Sequence, residues 1–373
     1  MKASHEVTPV FGLTKGELWP IVEEAAGTAV ASFDVLMEHG QPLPHGGPTE
    51  KEIPTFAYTT KSGREGRVTI FAKRITRPGP SEVQQYRFLQ AHQAPIPRLY
   101  GVLLNPEGSE TLFLEHVEMS WEARSHTTME RRREFFALMA RFHAIQPSEE
   151  YAAWLDQTIG TVTEELSRAE PALGLIWKHA CNGELGQSLQ DFCSSYHQGL
   201  RQLQSLARYV TERCLQMPQG LVHTDLLIEN VGRRHNGELV LLDLEWVRRG
   251  PRYFDAAGWL GRPPVRWPPS LAQGDLARHY LEEYARWGGS PPSPEAFLDD
   301  VRLMWLAENL RILNWYRDRA VEGLATSDAN EDTRRARRDS LYRRLTMLLA
   351  QYRLRGTKHS ALLRWQHRTD QAM

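Results

Sequence analysis

The first third of the chain carries short runs in which apolar and polar residues alternate, a pattern typical of β-strands. The runs cover residues 32–36, 55–60, 67–75 and 111–117. Residues 61–66 form a glycine-containing turn between the second and third runs, which predicts an antiparallel hairpin. A segment rich in glycine and proline, residues 39–48, follows the first run. We therefore expect a small β-rich region at the N-terminus.

Capping signals predict two helices beside these strands. Thr14 precedes the first, which we expect over residues 14–26, and Glu17 stands three residues later, as in a capping box. The second helix is predicted to begin at Ser81, where Gln84 stands at the same offset.

From residue 128 onward, apolar residues recur every three or four positions, which predicts a mostly helical C-terminal region. The helices are expected over residues 128–146, 151–217, 271–287 and 294–324. Within the second of these, one continuous apolar stripe runs from Phe192 to Cys214. A final amphipathic helix with a basic outer face is predicted around residues 334–338, which read Arg-Arg-Ala-Arg-Arg.

Two short apolar runs interrupt the helical pattern between residues 221 and 255. Asn236-Gly237 separates them, and this pair between apolar runs is a strong hairpin signal. Asp225 and Asn230 precede the first predicted strand, and Asp243 ends the second. Strand pairing should therefore bring two carboxylates and one amide close together.

These three side chains have the chemistry that phosphoryl transfer requires. One carboxylate can accept the proton of an attacking hydroxyl, and the other, with the amide oxygen, can bind a hard cation such as Mg²⁺. Phosphoryl transfer needs a positioned hydroxyl, a base and a metal on the phosphates.

Composition places the chain among ordinary globular proteins. Its 373 residues carry a net charge of −1 and can form one or two domains with a large core. Three cysteines form no paired framework, which fits a reducing compartment. The N-terminus lacks a signal-peptide core, and no apolar run reaches the ~18 residues of a membrane helix. We therefore expect a cytoplasmic protein without a membrane partner.

Charge is unevenly distributed along the chain. From Glu331 onward, eleven Lys and Arg residues outnumber four Asp and Glu residues. No recognised module accompanies this basic end, so nucleic-acid binding is not expected. Acidic residues are frequent between Asp275 and Glu308. Two interpretations of them stay open: an ordinary solvated face, or an acidic wall that attracts a cationic substrate.

The triplet His223–Asp225, with Asn230 and Asp243, resembles the catalytic loop and metal-binding aspartate of the protein-kinase-like fold. Eukaryotic protein kinases have His-Arg-Asp and Asp-Phe-Gly where this chain has His-Thr-Asp and Asp-Leu-Glu. With Gly250-Pro251 and Asp255 downstream, the chain is similar to the aminoglycoside phosphotransferase and choline-kinase-like family, whose members phosphorylate small molecules.

This resemblance covers roughly residues 31–325 and implies a two-lobe α+β fold. The N-lobe is expected at residues 1–117, and a larger helical C-lobe with an inserted substrate region at residues 118–373. The implied activity is that of an ATP- and Mg²⁺-dependent O-phosphotransferase whose acceptor is the hydroxyl of a small molecule.

The resemblance also implies the roles of residues at the reacting groups. Asp225 is the implied catalytic base, and Asn230 and Asp243 are the implied metal ligands. Glu245 is a secondary candidate, either near the metal or structural. His223 is expected to position the catalytic loop.

Asp255 is expected to anchor the loop through hydrogen bonds. For the nucleotide, Lys73 is the implied phosphate contact, with Glu82 as its candidate partner. Gln85 competes with Glu82, because it stands in a better sequence context but carries no charge.

Two further segments complete the implied nucleotide site. The backbone from Glu115 to Val117 is expected to read the adenine edge. Gly46 and Gly47 are the candidate phosphate cover, with an ordinary turn as the alternative.

A function of another class also stays open, namely a kinase-shaped binding protein without turnover. The incomplete glycine loop favours it, whereas the presence of Asp225, Asn230 and Asp243 favours an enzyme. The acceptor is open among an aminoglycoside or other antibiotic, choline, a sugar, an amino alcohol and a homoserine-like molecule.

Overall fold

The computed structural model describes seven segments of the chain: residues 6–37, 49–75, 82–104, 108–119, 128–260, 271–321 and 331–358. Gly46 and Gly47, the predicted phosphate cover, lie outside the described residues, as does Ser81.

Within these segments the secondary structure comprises eleven strands and twelve α-helices. The strands are β1 (Val30–Met37), β2 (Thr49–Glu52), β3 (Pro54–Thr60), β4 (Glu65–Ile75), β5 (Leu99–Leu104), β6 (Glu110–Glu115), β7 (Glu118–Met119), β8 (Gln219–Val222), β9 (Val231–Arg233), β10 (Leu239–Leu241) and β11 (Arg248–Pro251). The helices are α1 (Lys15–Ala26), α2 (Glu82–Ala91), α3 (Met129–His143), α4 (Glu149–Thr158), α5 (Val162–Ser167), α6 (Ala169–Cys181), α7 (Gln187–Ser195), α8 (Gly199–Gln216), α9 (Ala257–Leu260), α10 (Leu271–Arg286), α11 (Pro294–Val321) and α12 (Glu331–Lys358).

The chain forms two compact units. Unit 1 comprises Met1–Phe142 and Asp225–Val247, and unit 2 comprises His143–Thr224 and Arg248–Met373. The hairpin predicted to carry the reacting groups therefore belongs to the unit that holds the N-terminal sheet. The lobe boundary expected between residues 117 and 118 stays a prediction, because compactness alone does not define a functional lobe.

Unit 1 contains an antiparallel sheet in the order β1-β3-β4-β6-β5. One edge of the long strand β4 pairs first with β3 and then with β2, while its other edge pairs with β6. The four predicted strands are confirmed, although the last ends at Glu115 rather than Val117.

Strand β2 was not predicted from the sequence. It reads Thr-Glu-Lys-Glu and has no apolar alternation. Its backbone nevertheless pairs with β4 from Thr49 opposite Ile75 to Glu52 opposite Ala72. Backbone hydrogen bonds do not depend on side-chain polarity, so the hydrophobic pattern carried no signal for this strand.

Helix α1 covers one face of the sheet. The predicted capping box is confirmed: the Glu17 N–H donates to Thr14 Oγ1 at 3.3 Å, and the Thr14 N–H donates to the Glu17 carboxylate at 2.8 Å. Its apolar residues Leu18, Ile21 and Val22 are buried in one cluster with Ile70 and Ala72 of β4. Burying one such side chain stabilises the fold by about 1.5–3 kcal/mol.

The predicted hairpin forms from β9 and β10, and β7 pairs with the other edge of β9. Gly237 adopts a φ of 90°, which glycine tolerates and which the turn requires. Gly232 on β9 is needed for a different reason. A Cβ atom there would lie 2.5 Å from Cγ2 of Val117, so only glycine lets these segments approach.

Unit 2 is mainly helical and has its own core. Residues from α6, α8, α11 and α12 share one buried apolar cluster. The apolar side of α12 contributes Leu341, Leu345, Leu348 and Leu349, so the predicted amphipathic final helix is confirmed. Strands β8 and β11 pair antiparallel within this unit, with Val222 opposite Arg248.

The single helical stripe predicted from Phe192 to Cys214 is wrong, because the chain breaks between α7 and α8. Gly199 begins α8, and a Cβ atom there would lie 2.5 Å from the ring of Trp177 on α6. Only glycine therefore lets the start of α8 pack this closely against α6. The apolar spacing continues across the break, so the pattern alone did not reveal it.

Among the described residues, no helix combines the length and apolar character needed to cross a membrane.

Candidate active site

Lys73 on β4 lies at the centre of a group of carboxylates within unit 1. Its Nζ is 2.8 Å from Oε2 of Glu82, 3.3 Å from Oδ1 of Asp243 and 3.9 Å from Oε2 of Glu245. Successive strand residues face opposite sides of a sheet, so Lys73 projects from the face opposite to Ala72 and the α1 core. The side chain of Lys73 is only 5 % exposed.

The charges of this group are mutually dependent. Burial disfavours the ammonium form, but the Glu82 and Asp243 carboxylates outweigh it and raise the pKa of Lys73. Burial raises the pKa of the Glu82 carboxyl, and the Lys73 ammonium offsets part of that rise. Lys73 is thus one cation among three carboxyl groups. Asp243 and Glu245, the two exposed members of the group, therefore carry an excess of negative charge.

The structure separates the two candidates for the partner of Lys73. Glu82, in the first turn of α2, forms the ion pair, although its side chain is only 2 % exposed. Gln85 is fully buried one turn later, and its Nε2 donates to the carbonyls of Glu245 at 3.4 Å and Val247 at 3.3 Å. Gln85 therefore ties α2 to the backbone that follows Asp243, a role that the sequence analysis missed.

Asp225 and Asn230 are brought together by the loop before β9. The Asn230 Nδ2 donates to the backbone carbonyl of Asp225 at 2.8 Å and to its carboxylate at 3.2 Å. A short 3₁₀ turn, Ile228–Asn230, closes the loop. The Leu242 N–H donates to the Asn230 carbonyl at 2.9 Å. This bond extends the hairpin and brings Asn230 beside the residue that precedes Asp243.

Two residues next to the reacting groups have positive φ angles. Asp243 in unit 1 has a φ of 57°, which aspartate tolerates better than most residues, and Thr224 in unit 2 has a φ of 65°, which its β-branched side chain disfavours. Such conformations cost about 1–3 kcal/mol each and concentrate at functional sites.

A family model described as the phosphotransferase enzyme family matches residues 54–290. The match covers well over half of the chain. The chain belongs to this phosphotransferase enzyme family. The predictions of the family and of a phosphotransferase enzyme are thereby confirmed. No curated protein matches the chain.

Two solved structures are similar to the enzyme in fold. One, from Ralstonia eutropha JMP134, is assigned as an aminoglycoside phosphotransferase; it is 16 % identical, with 89 % of this chain and 96 % of that chain covered at a TM-score of 0.51. The other is an ethanolamine kinase from Plasmodium vivax, 13 % identical, with 86 % and 83 % covered at a TM-score of 0.50. At such identities the similarity concerns the fold, and the predicted two-lobe, protein-kinase-like α+β fold is confirmed.

The donor set of the phosphotransferase fits a magnesium ion. Asp243 is 39 % exposed, and the Asn230 amide directs its nitrogen to Asp225, which leaves its oxygen for another partner. Mg²⁺ prefers oxygen ligands and binds through one or two carboxylates, waters and substrate phosphates. In the described part of the chain, no group of three or more His, Cys, Asp and Glu side chains is arranged as a protein-only metal site. A ligand pair completed by phosphates is the arrangement that fits.

A buried hydrogen-bond system in unit 2 anchors the backbone just before Asp225. The carboxylate of Asp255 accepts the N–H of His223 at 2.7 Å and of Thr224 at 2.8 Å. Its Oδ2 also lies 2.9 Å from Nε2 of His143, whose Nδ1 contacts the Tyr280 hydroxyl at 2.7 Å. Burial works against the charged form, but the hydrogen bond to His143 and the interactions with His223 outweigh it and lower the pKa of Asp255.

The two predicted adenine-reading residues lie elsewhere in unit 1. Glu115 is the last residue of β6. It lies three residues beyond Leu112, which stands opposite Lys73 on β4, and this separation is roughly 10 Å along the strand. Its carboxylate binds the Arg234 guanidinium, with Nε at 2.9 Å from Oε1, and its N–H donates to the Arg98 carbonyl at 2.8 Å. Both the N–H and the carboxylate of Glu115 are therefore engaged within unit 1. Val117 packs against Gly232, as described above.

The acidic residues between Asp275 and Glu308 are largely neutralised by arginines of their own helices. Four of the seven pair with the arginine three residues later: Asp275 with Arg278, Glu283 with Arg286, Asp299 with Arg302, and Glu308 with Arg311. This pattern favours the interpretation as a helix face with internal ion pairs over an uncompensated acidic wall.

Proposed function

We propose that this phosphotransferase transfers the γ-phosphate of ATP to a hydroxyl group of a small molecule, with Mg²⁺ as the metal. The observation that carries the proposal is the ion pair between Lys73 and Glu82, with Asp243 as the second neighbour of the ammonium. Asp225 and Asn230 belong to the same compact unit.

Lys73 and Glu82 have the properties of a phosphate contact and its support. A raised pKa keeps Lys73 cationic at neutral pH, as a contact to phosphate oxygens requires. The Glu82 carboxylate fixes the direction of the lysine side chain from α2. A positioned lysine of this kind acts as a point charge on the α- and β-phosphates.

Asp225 is suited to orient the acceptor and to take its proton. It is solvent-exposed, and the Asn230 amide holds one of its carboxylate oxygens at 3.2 Å. The acceptor hydroxyl would donate to the carboxylate and lose its proton to it as its oxygen bonds to the γ-phosphorus and the bond from that phosphorus to the departing ADP oxygen breaks.

Asp243 and Asn230 would hold the metal in this proposal. Bound Mg²⁺ would neutralise charge on the phosphate oxygens. Asp243 also contacts Lys73, so the same residue would join the lysine to the metal site.

The acceptor class is a small hydroxyl compound, and cationic amino alcohols are the first to test. One structural relative is named an ethanolamine kinase and the other is assigned as an aminoglycoside phosphotransferase. Both names denote compounds that carry amines beside hydroxyls. We include neither a membrane nor a nucleic acid among the partners, and we expect the enzyme to work in the cytoplasm. The alternative of a binding protein without turnover is not favoured by any contact described above, because the lysine–carboxylate pair and the loop residues are present together.

The test is ADP formation from Mg·ATP with a panel of acceptors: ethanolamine, choline, an aminoglycoside, a sugar and homoserine. Turnover that requires both Mg²⁺ and one acceptor is expected. Asp225→Asn should retain nucleotide binding and lose about 10²- to 10⁴-fold in kcat, the usual contribution of a general base. The exposed Asp299→Asn is the matched control and should keep wild-type kcat. Normal turnover by Asp225→Asn would refute the assignment of the base.

A further inference from the structure

Arg311 on α11 binds three groups of unit 2 through one guanidinium. Its Nη1 is 3.0 Å from Oε2 of Glu165, and its Nε is 2.9 Å from Oε2 of Glu308. Its Nη2 donates to the backbone carbonyl of Thr224 at 3.2 Å. The proposed mechanism gives Arg311 no role, although two carboxylates hold it against a backbone group.

The bonded carbonyl belongs to the peptide group that joins Thr224 to Asp225. The preceding peptide group, which joins His223 to Thr224, donates its N–H to Asp255 Oδ1 at 2.8 Å. The φ and ψ angles of Thr224 are the rotations between these two peptide planes. Arg311 and Asp255 therefore hold both planes, and together they define the conformation of Thr224.

That conformation is one that the residue type itself disfavours. Thr224 is a β-branched residue with a φ of 65°, a region that such residues disfavour. A small rotation of its ψ angle would turn the second peptide plane and redirect the chain into Asp225. The carbonyl bond from Arg311 opposes this rotation directly, because it fixes the oxygen of that plane.

The charges around Arg311 make it a rigid holder. Burial disfavours its charged form, but Glu308 and Glu165 outweigh burial and raise the pKa of Arg311, so the cation is permanent. Glu165 is itself held on its other oxygen by Arg248 at 2.6 Å. Arg311 uses a different guanidinium nitrogen for each of its three partners, whereas a lysine carries all its donors on one nitrogen and cannot reach groups placed at these three positions.

We propose that Arg311 is a positioning residue that sets the orientation of Asp225 through the Thr224–Asp225 peptide. The inference rests on the proposed function, in which Asp225 orients the acceptor hydroxyl. Arg311 contacts neither nucleotide nor acceptor in this proposal. Its removal should therefore change kcat and leave nucleotide affinity unchanged.

The test is Arg311→Lys, assayed by ADP formation from Mg·ATP with the best acceptor of the panel. Lysine keeps the positive charge for Glu165 and Glu308 but cannot also hold the Thr224 carbonyl. We expect kcat to fall roughly 10- to 100-fold, since misplacement by about 1 Å has effects of this size. The KM for ATP and the affinity for ATP in the absence of acceptor should stay within twofold.

The matched control is Arg249→Lys in the same unit. Arg249 binds the single carboxylate of Asp156 at 2.8 Å, so lysine can replace its one ion pair. Its kcat should equal that of the wild type. A loss in kcat of the same size in both variants would overturn the proposal, because it would show a general sensitivity to arginine replacement.

A second variant decides the question if Arg311→Lys does not fold. Arg311→Met combined with Glu308→Gln removes one cation and one carboxylate, and Glu165 keeps Arg248 as its partner. No buried carboxylate is then left without a cation. Compared with Glu308→Gln alone, the double variant should show the same selective loss in kcat.

The outcomes separate this inference from the proposed function. A wild-type protein without Mg·ATP turnover on any acceptor would refute the proposed function. An active wild type with unchanged kcat in folded Arg311→Lys, or in the double variant, would refute the positioning role alone. An equal loss of kcat and of ATP affinity would also refute it, because Arg311 would then support the whole site rather than Asp225.

Discussion

Replacement of Asp255 by asparagine tests the buried anchor with nearly unchanged side-chain shape. Oδ2 of Asp255 accepts the His223 N–H and lies 2.9 Å from Nε2 of His143, while Oδ1 accepts the Thr224 N–H. An asparagine oxygen can replace only one of these two oxygens. If it takes the place of Oδ2, its NH₂ group faces the Thr224 N–H, and a buried donor is left without an acceptor.

The expected loss follows from that one donor. A buried polar group without a partner costs about 1–3 kcal/mol. The side chain of Asp255 is only 1 % exposed, so water cannot replace the lost bond. For a folding unit of this size, about 2–4 °C of Tm is lost per kcal/mol, so Asp255→Asn should lower Tm by about 2–12 °C.

The pH dependence gives a second and independent readout. The pKa of Asp255 is lowered in the folded protein, so its contribution to stability is fully present above the ordinary aspartate pKa of 3.8. That contribution is lost as the pH falls through the lowered value. The Tm difference between wild type and Asp255→Asn should therefore be constant near neutral pH and should shrink below about pH 4.

Thermal unfolding of both proteins from neutral to acidic pH measures the two effects. Asp299→Asn is the control, because Asp299 is exposed and pairs with Arg302 on its own helix; it should leave Tm unchanged. The argument would fail if Asp255→Asn had the wild-type Tm, or if the Tm difference did not shrink in acid.

Two further predictions concern the carboxylates around Lys73. Asp243→Asn should abolish Mg²⁺-dependent ADP formation at ordinary Mg²⁺ concentrations, because a neutral amide is a poor ligand for a hard dication; normal kcat would remove Asp243 from the metal site. Lys73→Met should abolish ATP binding, measured by calorimetry, and should also lower the free energy of unfolding by about 3–5 kcal/mol, because it leaves Glu82 buried without its cation. Adding Glu82→Gln should restore the stability but not the binding, and recovery of both would contradict the role of Lys73.

Local signals in the sequence were sufficient for much of the fold. The capping box at Thr14, the Asn236-Gly237 hairpin and the helical periodicity of α3, α10 and α11 each depend on interactions between residues close in the chain, and the structure confirms them. The spacing of Asp225, Asn230 and Asp243 also predicted their common neighbourhood, because one short hairpin joins them.

Sequence patterns were insufficient where a contact joins distant segments. The choice between Glu82 and Gln85 depended on where α2 meets β4 and the segment after Asp243, and neighbouring sequence carries no information on that meeting. Strand β2 could not be predicted from the sequence, because its backbone hydrogen bonds with β4 require no alternation of apolar and polar side chains. The close approach of Gly199 to Trp177 of another helix likewise joins segments distant in the chain.

The sequence by itself determined the family, the order of the elements and the residue types of the site, because each follows from local periodicity or from a short motif. Only the tertiary structure decided the partners of the buried charges. From the sequence alone, Glu308 and Arg311 would be interpreted as an ordinary ion pair on the surface of a helix, three residues apart. Folding adds Glu165 and the Thr224 carbonyl from remote segments, and burial makes each of these partners necessary.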